Sequence, residues 1–456
     1  MTNHAIQCVG VIGAGRMGTG IAQVCAMAGL PTRLLDRDDR AAERARKTIE
    51  AALHRAVERD RLSAVNRDRA LAGLSVTGIG ARGLRGAELG QTDLLIEAVD
   101  EDFETKAQLF RDLAEAAPGA RLATNTQSLS VGALGQAAGR PDLIALHFLN
   151  PVPRTRLLEV VCAEDAWETV QDFAMRLGKV AVRCQDSPGF IVERVAQPLF
   201  LEAGRMRAEG MAETAQLDDC LSTALGAPMG PFEHTDIAGT DVAADHARRL
   251  WQALGQPARF EPDPQVAQLA EAGQLGWASG QGFYSYPRPA PHTPEAVNEV
   301  GPFMELLAHV CPVATTDGRT AAERAGDKNL ALLDIAPAPF MERPSLAFTS
   351  AGLDAATKRE LFKTAGHEGV QLVEVPDTPG LVALRAISVV VNEAGHAIAD
   401  GVADLHDIDR AVQLGLSWVV GPKRLLNWFA PSIQRTLHTL EAREGRGRYT
   451  PAPDLF

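Results

Sequence analysis

A glycine pattern near the N-terminus constrains the fold of this 456-residue chain more than any other feature. The apolar run Cys8–Ile12 leads directly into Gly13, Gly15 and Gly18, which are spaced as GxGxxG. Apolar residues then recur at the spacing of an amphipathic helix that ends near Gly29. A buried strand, a glycine turn and a helix N-terminus form a pyrophosphate site, because the first N–H groups of the helix point at the phosphates. The pattern therefore predicts a Rossmann domain that binds a dinucleotide.

The second predicted strand, Thr32–Asp36, ends in an acid. Asp36 lies 18 residues after Gly18, where a carboxylate accepts hydrogen bonds from the adenosine ribose and repels a 2′-phosphate. We therefore predict NAD rather than NADP as the cofactor, with Arg33 and Arg37 softening that preference. A Rossmann-like domain that binds no nucleotide is the alternative.

Further apolar runs at α/β spacing complete a mostly parallel sheet, and they extend the predicted Rossmann domain over residues 1–185. A chain of this length is expected to form several domains, each with its own core. The remaining predicted strands are Leu94–Val99, Leu122–Thr124, Leu143–Phe148, Leu157–Val161 and Val180–Arg183.

Charge and cysteine usage exclude several classes of function. The net charge of −13 and the pI near 5.4 argue against nucleic-acid or anionic-membrane partners, which select basic surfaces. The six cysteines form no CxxC pair, so we expect reduced thiols and no metal site. The segment Met1–Gln7 does not look like a secretion signal, and no run of about 18 apolar residues follows. We therefore expect a cytoplasmic protein.

Five segments carry a family resemblance. In their order and spacing, the chain from residue 6 to about 286 resembles the L-3-hydroxyacyl-CoA dehydrogenase family, in particular 3-hydroxybutyryl-CoA-type members. The resemblance implies an NAD-dependent oxidoreductase of fatty acid metabolism that interconverts 3-hydroxyacyl-CoA and 3-ketoacyl-CoA. The segments are Ile96–Glu101 with Lys106, Thr124–Thr126, Leu146–Pro153 with Glu159, Asp186–Val192 and Pro228–Glu233.

One histidine in these segments has the chemistry that alcohol oxidation requires. His147 lies at the end of a predicted strand. A histidine side chain ordinarily titrates near neutral pH and can accept the hydroxyl proton as hydride leaves carbon. Glu159 on the next strand can orient the other ring nitrogen. The resemblance assigns these roles to both residues. It also implies that Glu101, Lys106 and Asn150 contact the nicotinamide side and the ribose of NAD.

Other positions match the family less well. By resemblance Arg59, on the helix after the second strand, binds the CoA phosphates, although a single charge on a solvated helix face is an equally good interpretation. The family's catalytic serine is replaced by Gln127, and Ser128, a candidate substrate contact, comes one residue late. The substrate-side asparagine is replaced by Glu193, and a lysine near the cofactor by Ala278.

These departures leave three functions open. The first is a 3-hydroxyacyl-CoA dehydrogenase whose catalytic contacts at Gln127 and Glu193 alter its activity, with Arg194 as a candidate to offset the charge of Glu193. The second is a dehydrogenase of a free 3-hydroxy acid or a carnitine-like alcohol, whose cation Glu193 would face. The third is an NAD-binding relative that has lost turnover.

The second half of the chain repeats part of the first. Asp186–Gly189 recurs as Asp377–Gly380, and further matches continue at the same offset of 191 residues. The pattern predicts an all-α domain over residues 186–286 and a second, non-catalytic copy over 377–456. In shorter family members two chains associate through this domain. The protein is therefore expected to be a monomer with an internal pseudo-dimeric contact, or a homodimer.

Residues 287–376 separate the two helical copies. A proline-rich stretch, with Pro287, Pro289, Pro291 and Pro294, reads as a linker. A small, degenerate α/β module without a glycine fingerprint follows, so we expect that it holds no second NAD. Its predicted elements are the strands Leu330–Ile335, Leu346–Thr349 and Val370–Val375 and a helix near Ala355–Ala365.

Overall fold

The computed structural model describes residues 5–80, 83–84, 89–287, 300–337, 344–453 and 455. Two compact units make up the chain, Met1–Phe190 and Ile191–Phe456. Within the described residues, no helix combines the length and apolarity needed to cross a bilayer. Most of the predicted proline-rich linker, including Pro289, Pro291 and Pro294, lies outside the described residues.

The first unit contains an eight-stranded sheet in the order β3-β2-β1-β4-β5-β6-β7-β8. Every neighbouring pair is parallel except β6 and β7, which are antiparallel. The strands are β1 (Val9–Ile12), β2 (Thr32–Asp36), β3 (Leu74–Gly78), β4 (Leu94–Glu97), β5 (Arg121–Thr124), β6 (Ile144–Phe148), β7 (Leu157–Val161) and β8 (Val180–Arg183). The helices are α1 (Arg16–Met27), α2 (Asp39–Glu58), α3 (Ala64–Ala72), α4 (Phe103–Ala116), α5 (Val131–Ala137) and α6 (Glu164–Arg176).

Most predicted strands of this sheet are confirmed. Strands β2, β7 and β8 have the predicted bounds, whereas β4 ends at Glu97, two residues earlier than predicted. Strand β3 was not predicted, because it is an edge strand whose residues alternate between buried and exposed and leave no continuous apolar run. Helix α2 ends at Glu58, so Arg59 is its exposed C-cap rather than a residue within the helix.

The second unit contains helices and a four-stranded sheet in the order β12-β11-β10-β9. The strands are β9 (Val313–Thr315), β10 (Leu330–Leu333), β11 (Ser345–Ala351) and β12 (Gln371–Glu374). The helices are α7 (Val192–Ala208), α8 (Thr214–Leu225), α9 (Pro231–Ala238), α10 (Thr240–Ala253), α11 (Pro264–Glu271), α12 (Val300–Ala308), α13 (Ala321–Ala325), α14 (Ala355–His367), α15 (Ala383–Ala399), α16 (Leu405–Leu416) and α17 (Pro422–Glu444). Three-residue β9 and the short helix α13 were not predicted.

Three helix pairs of the second unit follow the spacing of the sequence repeat. Helices α7 and α15 start at residues 192 and 383 and have 17 residues each. Helices α8 and α16 start at residues 214 and 405 and have 12 residues each. Helices α9 and α17 start at residues 231 and 422, each with proline in its first turn, although α17 is longer.

Candidate active site

The glycine loop between β1 and α1 has the geometry that its sequence predicts. Gly13 has a φ of 105°, and a Cβ atom there would lie 2.5 Å from the carbonyl oxygen of Ala98. A Cβ atom on Gly18 would overlap the carbonyl oxygen of Gly13. Gly15 is the N-cap of α1, and a Cβ atom there would have no neighbour within 4 Å. The loop is thus crowded on its inner side and open at Gly15, which fits a pyrophosphate at the helix N-terminus.

The Asp36 carboxylate is fixed beside this loop by backbone donors. Its Oδ2 accepts a 2.7 Å hydrogen bond from the Ala14 N–H, and its Oδ1 accepts one of 2.8 Å from the Asp38 N–H. Each carboxylate oxygen has two acceptor positions, so both oxygens retain capacity for the ribose hydroxyls of NAD. The residues present therefore fit an adenosine ribose next to the pyrophosphate site.

A buried ion cluster lies at the end of β4 and the start of α4. The Lys106 Nζ is 2.6 Å from Glu97 Oε1 and 3.2 Å from Glu101 Oε2. Glu97 also accepts a 2.7 Å hydrogen bond from the Thr124 hydroxyl on β5. Lys106 and Glu97 are buried, whereas Glu101 is only partly buried. The cluster ties the carboxyl ends of two neighbouring strands to helix α4.

Glu101 organises the loop that follows β5. Its Oε1 accepts hydrogen bonds from the hydroxyls of Thr126 and Ser128, at 2.5 and 2.8 Å, and from the Gln127 N–H at 3.1 Å. Burial alone would raise the pKa of Glu101, but the Lys106 ammonium and these donors lower it to about 2. Glu101 is therefore ionised at neutral pH, and it holds the segment that contains the candidate site residues Gln127 and Ser128.

His147 and Glu159 form a buried dyad on the antiparallel strands β6 and β7. They are direct cross-strand partners, and the His147 Nδ1 lies 2.7 Å from Glu159 Oε2. Both side chains are at most 5% exposed. The ring of Phe190 lies against the imidazole, with 5.6 Å between the ring centroids. The carboxylate thus fixes the orientation of the imidazole and favours a proton on Nδ1.

Two supporting residues were missed in the sequence. The Asn125 Oδ1 accepts a 2.8 Å hydrogen bond from the Phe148 N–H and so fixes the strand end that carries His147. Lys179 donates to the carbonyl oxygens of Val152 and Thr155, at 2.8 and 2.7 Å, and supports the loop after exposed Asn150. Burial lowers the pKa of Lys179 to about 8. Asn125 belongs to the segment Thr124–Thr126 that carries part of the family resemblance, so this signal could have identified it. No sequence pattern indicated Lys179.

In the second unit, Glu193 lies in the first turn of α7. Its Oε2 is 3.2 Å from the Nε2 of His246 on α10, and its side chain is 31% exposed. The guanidinium of Arg194, the residue considered as an offset for this charge, binds the carboxylates of Glu393 and Asp400. Successive residues on a helix point about 100° apart, so neighbours in sequence do not face each other.

The glycine loop and the mostly parallel sheet of the first unit define a class of protein, the dinucleotide-binding proteins with a Rossmann domain. Comparison with known proteins narrows that class. Residues 8–187 match the family model described as 3-hydroxyacyl-CoA dehydrogenase, NAD binding domain, and residues 189–286 match the model of its C-terminal domain.

Relatives that match almost the whole chain and shorter relatives that match about 62% of it both support this assignment. A 3-hydroxyadipyl-CoA dehydrogenase of Escherichia coli is 35% identical over 98% of this chain and 96% of its own length. A 3-hydroxybutyryl-CoA dehydrogenase of Mycobacterium tuberculosis is 37% identical, over 62% of this chain and all of its own length. The crystal structure of a 3-hydroxybutyryl-CoA dehydrogenase from Escherichia coli has a TM-score of 0.85 and 32% identity, over 99% of this chain and 98% of that one. The chain belongs to the 3-hydroxyacyl-CoA dehydrogenase family and is an NAD-dependent oxidoreductase, as the resemblance predicted.

Proposed function

We propose that this dehydrogenase uses His147 as its general base and acid, with Glu159 as the residue that orients it. The 2.7 Å contact between the His147 Nδ1 and the Glu159 carboxylate carries the proposal. With Nδ1 bound to Glu159, Nε2 is the nitrogen that takes the proton from the 3-hydroxyl group of the substrate. The C3–H bond breaks in the same step, and its electron pair leaves as hydride. In the reverse direction, the imidazolium returns the proton to the 3-keto oxygen.

Bound NAD would supply the nicotinamide ring to which this hydride is transferred. Gly13, Gly15 and Gly18 would hold its pyrophosphate, and Asp36 would hold its adenosine ribose. On the nicotinamide side, Glu101, Lys106 and Asn150 are the proposed contacts. The carboxylate of Glu101 already orders residues 126–128 through four hydrogen bonds, so its first task is to fix this loop.

The proposed substrate is an acyl-CoA thioester with a 3-hydroxyl or 3-keto group. The names of the relatives suggest two candidates, the dicarboxylic 3-hydroxyadipyl-CoA and the short 3-hydroxybutyryl-CoA. Gln127 carries an amide that can donate to the substrate oxygen in place of a serine hydroxyl, and Ser128 follows it. Arg59, exposed at the end of α2, is the proposed contact for the CoA phosphates. The pairing of Glu193 with His246 disfavours a carnitine-like cation as its partner.

The second half of the chain is proposed to be a non-catalytic copy of part of the first. Strands β9–β12 pair in the same sequence, parallel, antiparallel and parallel, as β5–β8. In both sheets an aspartate after the last strand accepts from two N–H groups at a helix start: Asp186 for α5 and Asp377 for α13. When the two sheets are aligned from these aspartates through the strand registers, Asp334 occupies the position equivalent to His147, and Ala347 the position equivalent to Glu159. This copy thus lacks both members of the dyad.

We further propose four domains, at residues 1–185, 186–286, 287–376 and 377–456. Helices α7 and α15 pack together within the second unit, which supports an internal version of the contact that joins two chains in shorter relatives. A monomer is therefore the proposed quaternary state. All six cysteines are unpaired thiols, which supports a reducing, cytoplasmic location.

An NADH oxidation assay tests the proposed activity. The chain is given acetoacetyl-CoA, 3-oxoadipyl-CoA, free acetoacetate or no substrate, and the absorbance of NADH is followed. Turnover of one or both thioesters, with none of free acetoacetate, supports the proposal. Turnover of the free acid alone would show the alternative dehydrogenase. Turnover of none of them, with NAD still bound in a calorimetric titration, would show a relative that has lost catalysis.

A further inference from the structure

Two buried arginines in the second unit occupy equivalent positions of the repeat. Arg194 lies on α7 and Arg385 on α15, 191 residues later, and each side chain is 2% exposed. The Arg194 Nε donates a 2.9 Å hydrogen bond to the Glu393 Oε1, and its Nη2 binds Asp400. A glutamate in the second half of the opposite helix and the aspartate that caps the end of that helix thus hold this arginine.

The Arg385 site mirrors this arrangement. Its Nε donates a 2.5 Å hydrogen bond to the Glu202 Oε1, and its Nη1 and Nη2 bind the Glu209 carboxylate at 2.6 and 2.8 Å. Glu202 and Glu209 precede Glu393 and Asp400 by the same 191 residues. The two clusters are therefore reciprocal, and each helix donates one arginine and receives the other.

The two arginines differ in what stands next to them. Arg194 directly follows Glu193, which stands at the position of the family's substrate-side asparagine, in the first turn of α7. Its twin Arg385 directly follows Leu384, and the first turn of α15 is also held by Asp334, whose carboxylate accepts from three N–H groups there. One cluster thus adjoins a candidate substrate contact, Glu193, whereas its twin adjoins an apolar residue, Leu384.

We propose that Glu393 and Asp400 are positioning residues for substrate binding, because through Arg194 they fix the turn that aims Glu193. The inference rests on the proposed substrate-side role of Glu193. Because both acids belong to the non-catalytic second copy, the proposal assigns that copy a role in substrate binding. A mutation far from the reacting atoms that misplaces a site residue by about 1 Å can lower the rate about a hundredfold. Loss of the Arg194 contacts can therefore affect the substrate although neither acid touches it.

A pair of matched variants separates positioning from stability. Asp400→Asn and Glu209→Gln each remove one charge from equivalent acids whose side chains are 58% and 41% exposed, so both variants are expected to fold. Glu193→Asn is then introduced into wild type and into each variant. The readouts are kcat and KM for acetoacetyl-CoA reduction and the Kd of acetoacetyl-CoA by calorimetry with NAD present.

We expect that Asp400→Asn changes the effect of Glu193→Asn on KM and Kd at least about threefold, whereas Glu209→Gln leaves that effect within about 1.5-fold, because only the first cluster adjoins residue 193. Asp400→Glu is expected to restore the wild-type effect.

Equal coupling in both backgrounds, with Glu193→Asn active in each, would overturn the positioning role and leave the proposed function intact. If Glu193→Asn changes neither KM nor Kd in any background, the substrate-side role of Glu193 falls and this inference falls with it. Glu393→Gln and its twin Glu202→Gln repeat the comparison at the fully buried position.

Discussion

The ammonium of Lys106 lies 2.6 Å from the carboxylate of Glu97, and both side chains are at most 1% exposed. Removal of one member of a buried ion pair typically costs about 3–5 kcal/mol, because the remaining charge loses its compensation. We therefore expect Lys106→Met to lower the free energy of unfolding of the first unit by about this amount, as measured by urea denaturation. The double variant with Glu97→Gln is expected to recover part of the loss.

An exposed pair provides the control for this prediction. Lys47 and Glu43 on α2 are 3.3 Å apart, and their side chains are 73% and 56% exposed. Exposed pairs contribute less than about 1 kcal/mol, so Lys47→Met should leave the urea midpoint almost unchanged. Equal losses in Lys106→Met and Lys47→Met would show that the buried cluster does not stabilise the sheet.

The His147–Glu159 dyad predicts a catalytic variant that still binds NAD. Loss of a positioned acid-base group costs about 10²- to 10⁴-fold in rate, so His147→Ala is expected to lose turnover by this factor. Its calorimetric Kd for NAD should stay close to that of wild type, because the base does not contact the pyrophosphate. Glu159→Gln should also lower kcat, because an amide can present a donor to Nδ1 and favour the wrong tautomer.

Exposed His54 on α2 provides the matched control for this substitution. His54→Ala should keep the full rate. A His147→Ala variant that keeps more than about a tenth of the wild-type rate would exclude the general-base role.

Asp36 predicts the choice between NAD and NADP. The carboxylate beside the glycine loop should repel a 2′-phosphate, so NAD is expected to bind more tightly than NADP in a calorimetric titration. Asp36→Asn should narrow this difference, because exposed Arg37 then faces the 2′-phosphate without an opposing charge. Equal affinity of wild type for both cofactors would refute the assignment. Asp68→Asn, an exposed position on α3, is the control.

Structural elements that depend on a local sequence pattern were predictable from the sequence. Contacts between residues that are far apart in the sequence were not. The glycine loop and the short apolar stretches in β2, β7 and β8 predict their own structure, because the residues that carry each pattern lie within a few positions of one another. The Arg194 partner Glu393 lies 199 residues away, beyond any local signal. Nearness in sequence to Glu193 did not indicate this partner, because adjacent helix residues point in different directions.

The buried carboxylate of Glu202 predicts a loss of stability in acid. Burial alone would raise its pKa, but Arg385 and Arg205 lower the pKa to about 2, below the ordinary value of 4.5. A carboxylate with a lowered pKa stabilises the fold above its ordinary pKa, and this contribution is lost as the pH falls from about 4.5 to 2. It corresponds to about 3 kcal/mol at neutral pH.

Urea denaturation of wild type and Glu202→Gln at pH 7 and pH 3 measures this contribution. Glu202→Gln should be less stable than wild type at pH 7, and the gap should shrink at pH 3. A gap that is the same at both pH values would contradict the assignment.

The last prediction is that Glu193, more than Gln127, limits reduction of simple 3-ketoacyl-CoA substrates. Gln127 still carries an amide donor for the substrate oxygen, and loss of one preorganised donor costs at most about 10²- to 10³-fold. Glu193 places a carboxylate where the family has a neutral donor. An ionised carboxylate about 4 Å from a developing oxyanion, at an effective dielectric of 20, opposes it by roughly 4 kcal/mol.

The contact of Glu193 with His246 modifies this penalty, because a protonated imidazole offsets the negative charge. Glu193→Asn should therefore raise acetoacetyl-CoA reduction more than Gln127→Ser, and the double variant should be fastest. His246→Ala alone should slow wild type and leave Glu193→Asn almost unaffected. If wild type reduces acetoacetyl-CoA at an ordinary rate and Glu193→Asn slows it, Glu193 is a working part of the site, and charge repulsion is not what limits this enzyme.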